Sequence, residues 1–147
     1  MPSPDVVDVL ARQHDEIRRL GDGVRHSDAA GKGRLFAEFG DLVDRHELAD
    51  RQIVHPAVRN TGAPGDEMGV ARTAEEGGID RALGELRALG TGDPAFDGKF
   101  EALQQILSDH NEHEERDEFP LLRRYLTASR LHMMAGELHD LQVMAAR

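Results

Sequence analysis

The stretch HNEHEERDEFPLLR, residues 110–123, decides the fold class because it has helical character but places polar groups where apolar ones are expected. An apolar stripe at helical spacing leads into it, and its members are Phe96, Phe100, Leu103 and Leu107. At the following positions of the same stripe, the chain has His110, His113, Glu114 and Asp117. Buried imidazoles and carboxylates are costly without partners, so this stretch predicts a specific polar site inside a helical protein.

Composition limits the classes of protein that this chain can belong to. Its 147 residues predict one domain over residues 1–147. No residue is cysteine, which excludes disulfides, thiolate zinc sites and cysteine nucleophiles. No apolar run spans a bilayer and the N-terminus lacks a signal peptide pattern, so we expect a cytoplasmic protein without membrane contact. A net charge of −10 argues against a nucleic-acid partner.

Helical periodicity dominates the rest of the chain, and no convincing strand alternation occurs. Four amphipathic helices of about 20 to 30 residues are predicted, joined by short loops. The breaks between them lie at SDAAGKG (27–33), RNTGAPGD (59–66) and GTGDP (90–94). A short fifth helix is predicted after Tyr125, with an apolar stripe formed by Leu131, Met134, Leu138 and Leu141. These elements favour an all-α, up-down-up-down four-helix bundle with a short C-terminal fifth helix.

Two helix starts have recognisable capping sequences. Ser3, Pro4 and Asp5 predict that the first helix begins with a hydroxyl cap, a proline in the first turn and a carboxylate near the positive helix end. Asp93 and Pro94 predict the cap and the first turn of the fourth helix.

The polar residues repeat between the two halves of the chain. HELADRQIVHP (46–56) and HNEHEERDEFP (110–120) each have a histidine, a carboxylate four residues later and a proline ten residues after the histidine. HDEI (14–17) and EGGI (76–79) align through their isoleucines. The sequence is therefore a weak repeat of two helical hairpins, in which Glu76 takes the place of His14.

Spacing predicts that these polar groups meet inside the bundle. Residues i and i+4 of a helix point the same way, and the middles of antiparallel helices lie side by side. Each buried carboxylate without a cation would cost roughly several kcal/mol of folding stability, and a bound metal ion removes that cost. Nitrogen and carboxylate ligands without thiolates suit iron or manganese. The candidate ligands are His14, His46, Asp50, Glu76, His110 and Glu114.

A single polar residue in a helical stripe is usually satisfied by hydrogen bonds or lies at a boundary. Six such residues at matching heights, repeated between the two halves, favour a metal centre instead. A metal-free helical interaction module remains the structural alternative, and metal analysis distinguishes the two. A zinc protease is excluded because HEERD (113–117) lacks the second histidine four residues on.

The sequence resembles the hemerythrin-like, or HHE cation-binding, family over nearly its whole length. The resemblance rests on DVLARQHDEIRRL (8–20), HELADRQIVHP (46–56) and HNEHEERDEFPLLRRYL (110–126). It implies a four-helix bundle that holds a non-haem di-iron site with an oxo or hydroxo bridge, manganese being the less favoured metal. By this likeness, His14 and His46 would bind one iron and His110 the other. Asp50 and Glu114 would be the bridging carboxylates.

The third helix departs from the family pattern, which normally has a histidine there. Glu76 is the favoured replacement, with Asp80 next, while His113 from the fourth helix or an under-ligated iron are the alternatives. Glu47 is a further candidate, because some family members use that position as a ligand. His113 and Asp117 could also orient the ligands. The remaining histidines are expected to be surface or packing residues, and they are His26, His55, His132 and His139.

Replacement of imidazole by carboxylate should stabilise ferric iron and lower the reduction potential. Such a site suits redox turnover better than reversible oxygen carriage. Some bacterial hemerythrin-like proteins that depart from the histidine-rich pattern are associated with catalase-like decomposition of hydrogen peroxide, and we expect that activity in defence against oxidative stress. The alternative is a protein that binds or senses O2, nitric oxide or iron without turnover. The sequence does not determine the oligomeric state.

Overall fold

The computed structural model describes residues 3–146, except for the side chains of residues 63–66. Five helical rods make up this part of the chain. Three are uninterrupted: α1 (Val6–His26), α3 (Ala63–Leu89) and α5 (Ala128–Ala145). Two contain a π-helical turn between α-helical parts: α2 (Ala29–Ala49, Asp50–Val54 and His55–Arg59) and α4 (Phe96–His113, Glu114–Glu118 and Phe119–Tyr125). The all-α bundle predicted from the sequence is confirmed.

The first four rods form the bundle, and the fifth packs on its side. Consecutive rods contact each other, α1 with α2 and α3 with α4, as expected for short connections. The fifth rod packs against α1 and α2, and its 18 residues make it as long as the first part of α4 rather than short. No helix among the described residues has an apolar stretch long enough to cross a bilayer.

Both predicted helix starts are displaced by two residues. The α1 cap is Asp5, not Ser3, because Asp5 and Asp8 form a reciprocal capping box in which each side chain accepts the other's backbone N–H. Asp93 caps a turn before α4, where its side chain accepts the N–H of Ala95, and the helix itself begins at Phe96.

Prolines explain the π-helical turns. In each turn an N–H donates to the carbonyl five residues earlier: His55 to Asp50 and Phe119 to Glu114. The next residue is a proline in both rods, which has no N–H and whose ring would collide with the carbonyl four residues back. Opening the helix to an i→i+5 turn avoids that collision. The two halves of the sequence repeat therefore share the same backbone geometry. In each half the π-helical turn, which is wider than an α-helical turn, begins at a carboxylate, Asp50 or Glu114.

Two apolar clusters fill the bundle at different levels. The larger cluster includes Phe39, Leu83, Phe96, Phe100 and Leu103, while the other includes Leu10, Val54, Leu122, Met134 and Leu138. Eight of the buried polar residues of α1 to α4 lie near the boundary between these clusters, and they are His14, His46, Asp50, His55, Glu76, His110, Glu114 and Glu118. The bundle therefore has a polar layer enclosed by apolar residues on both sides.

Candidate metal centre

The polar layer brings together all six of the residues that spacing selected as candidate ligands. His14 comes from α1, His46 and Asp50 from α2, Glu76 from α3, and His110 and Glu114 from α4. Each is at most 2% exposed. Three overlapping groups have ligand atoms within 4.8 Å of one another, and they are His14, His46 and Glu114; Asp50, His110 and Glu114; and Asp50, His55 and Glu76. Their role as ligands stays a prediction, but their convergence is a feature of the fold.

Four buried imidazoles share one orientation. Each directs Nδ1 to an acceptor at the edge of the layer: His14 to Glu115 at 3.0 Å, His46 to Gln13 at 2.8 Å, His110 to Glu75 at 2.9 Å and His55 to Glu118 at 3.0 Å. An Nδ1–H bond to such an acceptor turns Nε2 toward the centre, where its lone pair can bind a metal once that nitrogen has lost its proton. This is the arrangement of histidines that bind a metal through Nε2.

The Nε2 atoms also lie close to one another. Those of His14 and His46 are 3.1 Å apart, too close for both to carry a proton. The His14 ring is held in place on its other side by Phe119, with the ring centroids 5.7 Å apart and the planes nearly parallel. A cation bound by both nitrogens would replace this hydrogen bond with two metal–nitrogen bonds.

The carboxylates supply unpartnered oxygens. Both oxygens of Asp50 and of Glu114, and Oε2 of Glu76, are buried without a hydrogen-bond partner among the described residues. His110 Nε2 lies 3.1 Å from Glu114 and 3.7 Å from Asp50, but without the alignment of a hydrogen bond. Buried oxygens without partners are costly, and cations bound by them remove that cost. The donor set of imidazole nitrogens and carboxylate oxygens therefore fits iron or manganese.

The charges within the layer depend strongly on one another. Burial alone would lower the pKa of His14, but the Glu114 carboxylate 3.6 Å away and the hydrogen bond to Glu115 outweigh it and raise the pKa to about 9. Burial raises the pKa of Asp50 to about 7, assisted by the negative charge of Glu114. Glu114 is also buried, yet the close imidazoles of His110, His14 and His46, at 3.1 to 3.6 Å, hold its pKa well below the ordinary value. The surroundings of Glu114 thus favour its anionic form.

Three of the less favoured candidates lie outside the layer. His113 is about one third exposed and donates to Glu75, so it does not swing into the centre. Glu47 and Asp80 form a separate group with Asp44 at the flank of the bundle. Within that group, burial and the neighbouring Asp80 raise the pKa of Glu47 to about 10.

Asp117 was expected on the buried face, but it is paired with Arg116 at the surface. Glu118 is buried instead. The reason is the wide turn at Glu114–Glu118, which changes the direction of the residues that follow it.

His55 is the residue that sequence reasoning missed. It was assigned to the surface or to packing, but it is 2% exposed and its Nε2 lies 2.6 Å from Glu76. Its Nδ1 lies 3.0 Å from Glu118. Hydrogen bonds to Glu118 and Glu76 outweigh burial and raise the pKa of His55 to about 10. The available signal was its place before Pro56 in the repeat, where the other half has Phe119 before Pro120.

The repeat explains why a histidine occurs at this position. In one half the imidazole is on the first helix of the hairpin, where His14 packs against Phe119. In the other half Glu76 corresponds to His14 and His55 corresponds to Phe119, so the imidazole is on the second helix of the hairpin, where it contacts Glu76. The imidazole that α3 lacks is therefore supplied by α2, and the layer contains four imidazoles.

The fifth rod reaches the centre through two amides. Gln13 accepts from His46 and donates through Nε2 to Gln142 of α5 at 2.8 Å. Gln142 donates in turn to the carbonyl of Arg45, which precedes His46, at 3.2 Å. The α5 rod thus helps to fix one candidate ligand, although none of its own side chains enters the layer among the described residues.

Comparisons with known proteins agree with this geometry. The family described as Hemerythrin HHE cation binding domain matches residues 5–122. A crystal structure of a Hemerythrin HHE cation binding domain-containing protein, the Rv2633c homolog from Mycobacterium kansasii, superposes with a TM-score of 0.84 at 20% identity and covers 98% of this chain and 91% of that one.

A sequence relative is the DNA nickase of Nostoc sp. (strain PCC 7120 / SAG 25.82 / UTEX 2576), 23% identical over 134 residues. The match covers 90% of this chain but 38% of that protein. The chain therefore spans about two fifths of the length of this relative.

Proposed function

Because the chain belongs to the hemerythrin HHE cation-binding family, we propose that its polar layer holds two iron ions and decomposes hydrogen peroxide. The observation that carries the proposal is the convergence of four imidazole Nε2 atoms on Asp50, Glu76 and Glu114, whose oxygens lack other partners. Manganese would fit the same donors less specifically. Two ions are proposed because two groups of candidate ligands, His14 with His46 and Asp50 with His110, share Glu114.

The ligands divide naturally between two positions. His14 and His46 group with Glu114, whose Oε1 lies 3.6 Å from each Nε2. His110 and Asp50 also group with Glu114, and Asp50 groups in turn with Glu76 and His55. Glu114 is therefore shared between two groups, and Asp50 also lies 3.4 Å from His46. These two carboxylates would bridge the ions.

Two iron ions would supply the two-electron exchange that converts two hydrogen peroxide molecules into two waters and one O2. The chain's own residues set the conditions for it. Three central carboxylates offset part of the cation charge, which favours the ferric state. Apolar clusters border the layer on two sides, and the burial of its side chains favours reactants as small as peroxide, O2 or nitric oxide.

Protons are held at the edge of the layer. Glu75, Glu115 and Glu118 accept from the Nδ1 atoms of three candidate ligands and keep these imidazoles in one orientation. Glu75 also accepts from His113, which is partly exposed, and this links His110 to solvent. Protons released or consumed at the centre have a hydrogen-bonded path to water at this side.

The test compares two glutamates on the same helix. Iron-loaded protein should contain two ions per chain and evolve O2 from hydrogen peroxide. Glu114→Ala should lose both the iron and the activity, because it removes the carboxylate shared by both positions. Glu112→Ala, an exposed neighbour, should keep both. Full iron content and activity in Glu114→Ala would show that the ligand assignment is wrong.

A second candidate function is reversible binding or sensing of O2 or nitric oxide. It is favoured by His55, which brings the layer to four imidazoles and closer to a histidine-rich site. The reduced, iron-loaded protein would then show a stable spectral change on adding gas and negligible peroxide consumption. Rapid O2 evolution from peroxide would exclude this function as the main one.

A further inference from the structure

A separate group of acids lies on the flank of the bundle, next to the polar layer. Ligand oxygens of Asp44, Glu47 and Asp80 lie within 4.8 Å of one another. The side chains of Asp44 and Asp80 are 49% and 47% exposed, whereas Glu47 is 1% exposed. The group therefore connects water with a buried carboxylate.

The burial of Glu47 distinguishes this group from an ordinary cluster of surface acids. Neither of its oxygens has a hydrogen-bond partner among the described residues. Arg51 is 3.9 Å away and makes a closer contact, 3.2 Å, with Asp80. A buried carboxylate that faces two further carboxylates requires a proton or a cation.

The arginines beside this group leave room for a cation. Arg51 contacts Asp80, and Arg87 contacts Asp44 at 2.9 Å. Both side chains are more than two fifths exposed, so either can move into water when an ion arrives. With Glu47 ionised, three carboxylates and two guanidinium groups leave one negative charge, and the chain as a whole carries −10.

The group adjoins the polar layer through two helices. Glu47 follows His46 directly in α2, and Asp80 lies one helical turn after Glu76 in α3. An ion held by Glu47 would thus be close to candidate ligands of both proposed iron positions, His46 and Glu76. No residue of this group belongs to the overlapping ligand groups of the layer.

We propose that Asp44, Glu47 and Asp80 form a third cation site, which binds Fe²⁺ or Mn²⁺ at the surface and passes it to the buried centre. Oxygen donors alone suit these ions and give a weaker site than the imidazole-rich centre, as transfer inward requires. Binding at the flank is independent of the centre, whereas passage inward rests on the proposed function.

The binding test uses Mn²⁺ alone, counted by its free-ion EPR signal. Glu47→Gln and Asp80→Asn should each bind one ion fewer per chain than the natural protein, or bind that ion about 10-fold more weakly. Asp80→Asn changes an exposed side chain, so its folding is not at risk. Glu38→Gln, which removes an exposed acid elsewhere on α2, should leave the count unchanged. Equal counts with equal affinities in all four proteins would overturn the third site.

The passage test follows Fe²⁺ loading by visible absorbance. Glu47→Gln should slow loading about 10-fold, since it removes the attraction at the entrance, and still reach the iron content of the natural protein. Unchanged loading rates would overturn passage, and a lower final iron content would make Glu47 a ligand of the centre instead. Full loading without decomposition of peroxide would refute the proposed activity but leave the third site intact.

Discussion

Removal of metal should reverse the pH dependence of stability. In the metal-free protein the buried imidazoles are held in the charged form by carboxylates, with pKa values of about 9 for His14 and about 10 for His55. A histidine with a raised pKa contributes stability that is complete below its unfolded value of 6.5 and is lost as the pH rises through the folded value. The metal-free protein should therefore become less stable between pH 6.5 and 9.

The size of this effect follows from the pKa shifts. Over that range each of the two histidines loses about 3 kcal/mol, at up to about 1.4 kcal/mol per pH unit, so the pair loses about 6 kcal/mol. Burial raises the pKa of Asp50 to about 7 and that of Glu47 to about 10, and ionisation of these carboxyls with rising pH acts in the same direction. Glu114, whose pKa is lowered, titrates at acid pH, outside the range. Since a domain has roughly 5–15 kcal/mol of stability, the change is large.

The assay is urea unfolding followed by far-UV circular dichroism at pH 6.5, 7.5 and 9. With chelator, we expect the free energy of unfolding to fall by at least about 6 kcal/mol across the series. With metal bound, it should rise from pH 6.5 to 7.5, because the ligands bind metal only when deprotonated. The exposed His139 serves as a control, and His139→Asn should keep the same slope. A metal-free stability that is constant or rises with pH would refute the pairing of imidazoles and carboxylates in the layer.

Two substitutions test the supports of the layer. His55→Leu leaves two buried glutamates without their imidazole and should cost the metal-free protein about 3–5 kcal/mol in urea unfolding, whereas His139→Leu at the surface should cost little. A loss below about 1 kcal/mol would show that His55 is only a packing residue. Gln142→Leu removes the amide contact from α5 and should cost about 1–2 kcal/mol and shift the visible absorption of the iron-loaded protein. An unchanged spectrum would show that α5 does not position His46.

The arrangement of helices could be predicted because one physical pattern determines it. Apolar residues at helical spacing define a buried face on each rod, and short connections make consecutive rods antiparallel. Because the polar interruptions fall near the middle of each stripe, His14, His46, Glu76 and His110 had to meet. The structure brings them to the same level.

The features that were missed depend on backbone geometry that periodicity does not show. A wide turn begins at each central carboxylate, and it places Glu118 rather than Asp117 inside. It also places His55 at the layer, where its partner Glu76 is distant in the sequence. The prolines that cause these turns are visible in the sequence, but a proline in a helical pattern ordinarily predicts a kink or an end.

The complete burial of the candidate ligands, each at most 2% exposed, governs how the protein exchanges metal with its surroundings. A chelator too large to enter the bundle must wait until the rods separate locally, and the rate of release is then that of the opening itself. Demetallation should be slow, independent of chelator concentration once that is high, and accelerated by mild urea. The bundle would retain its ions kinetically, so that the metal that first fills the centre is the metal that it keeps.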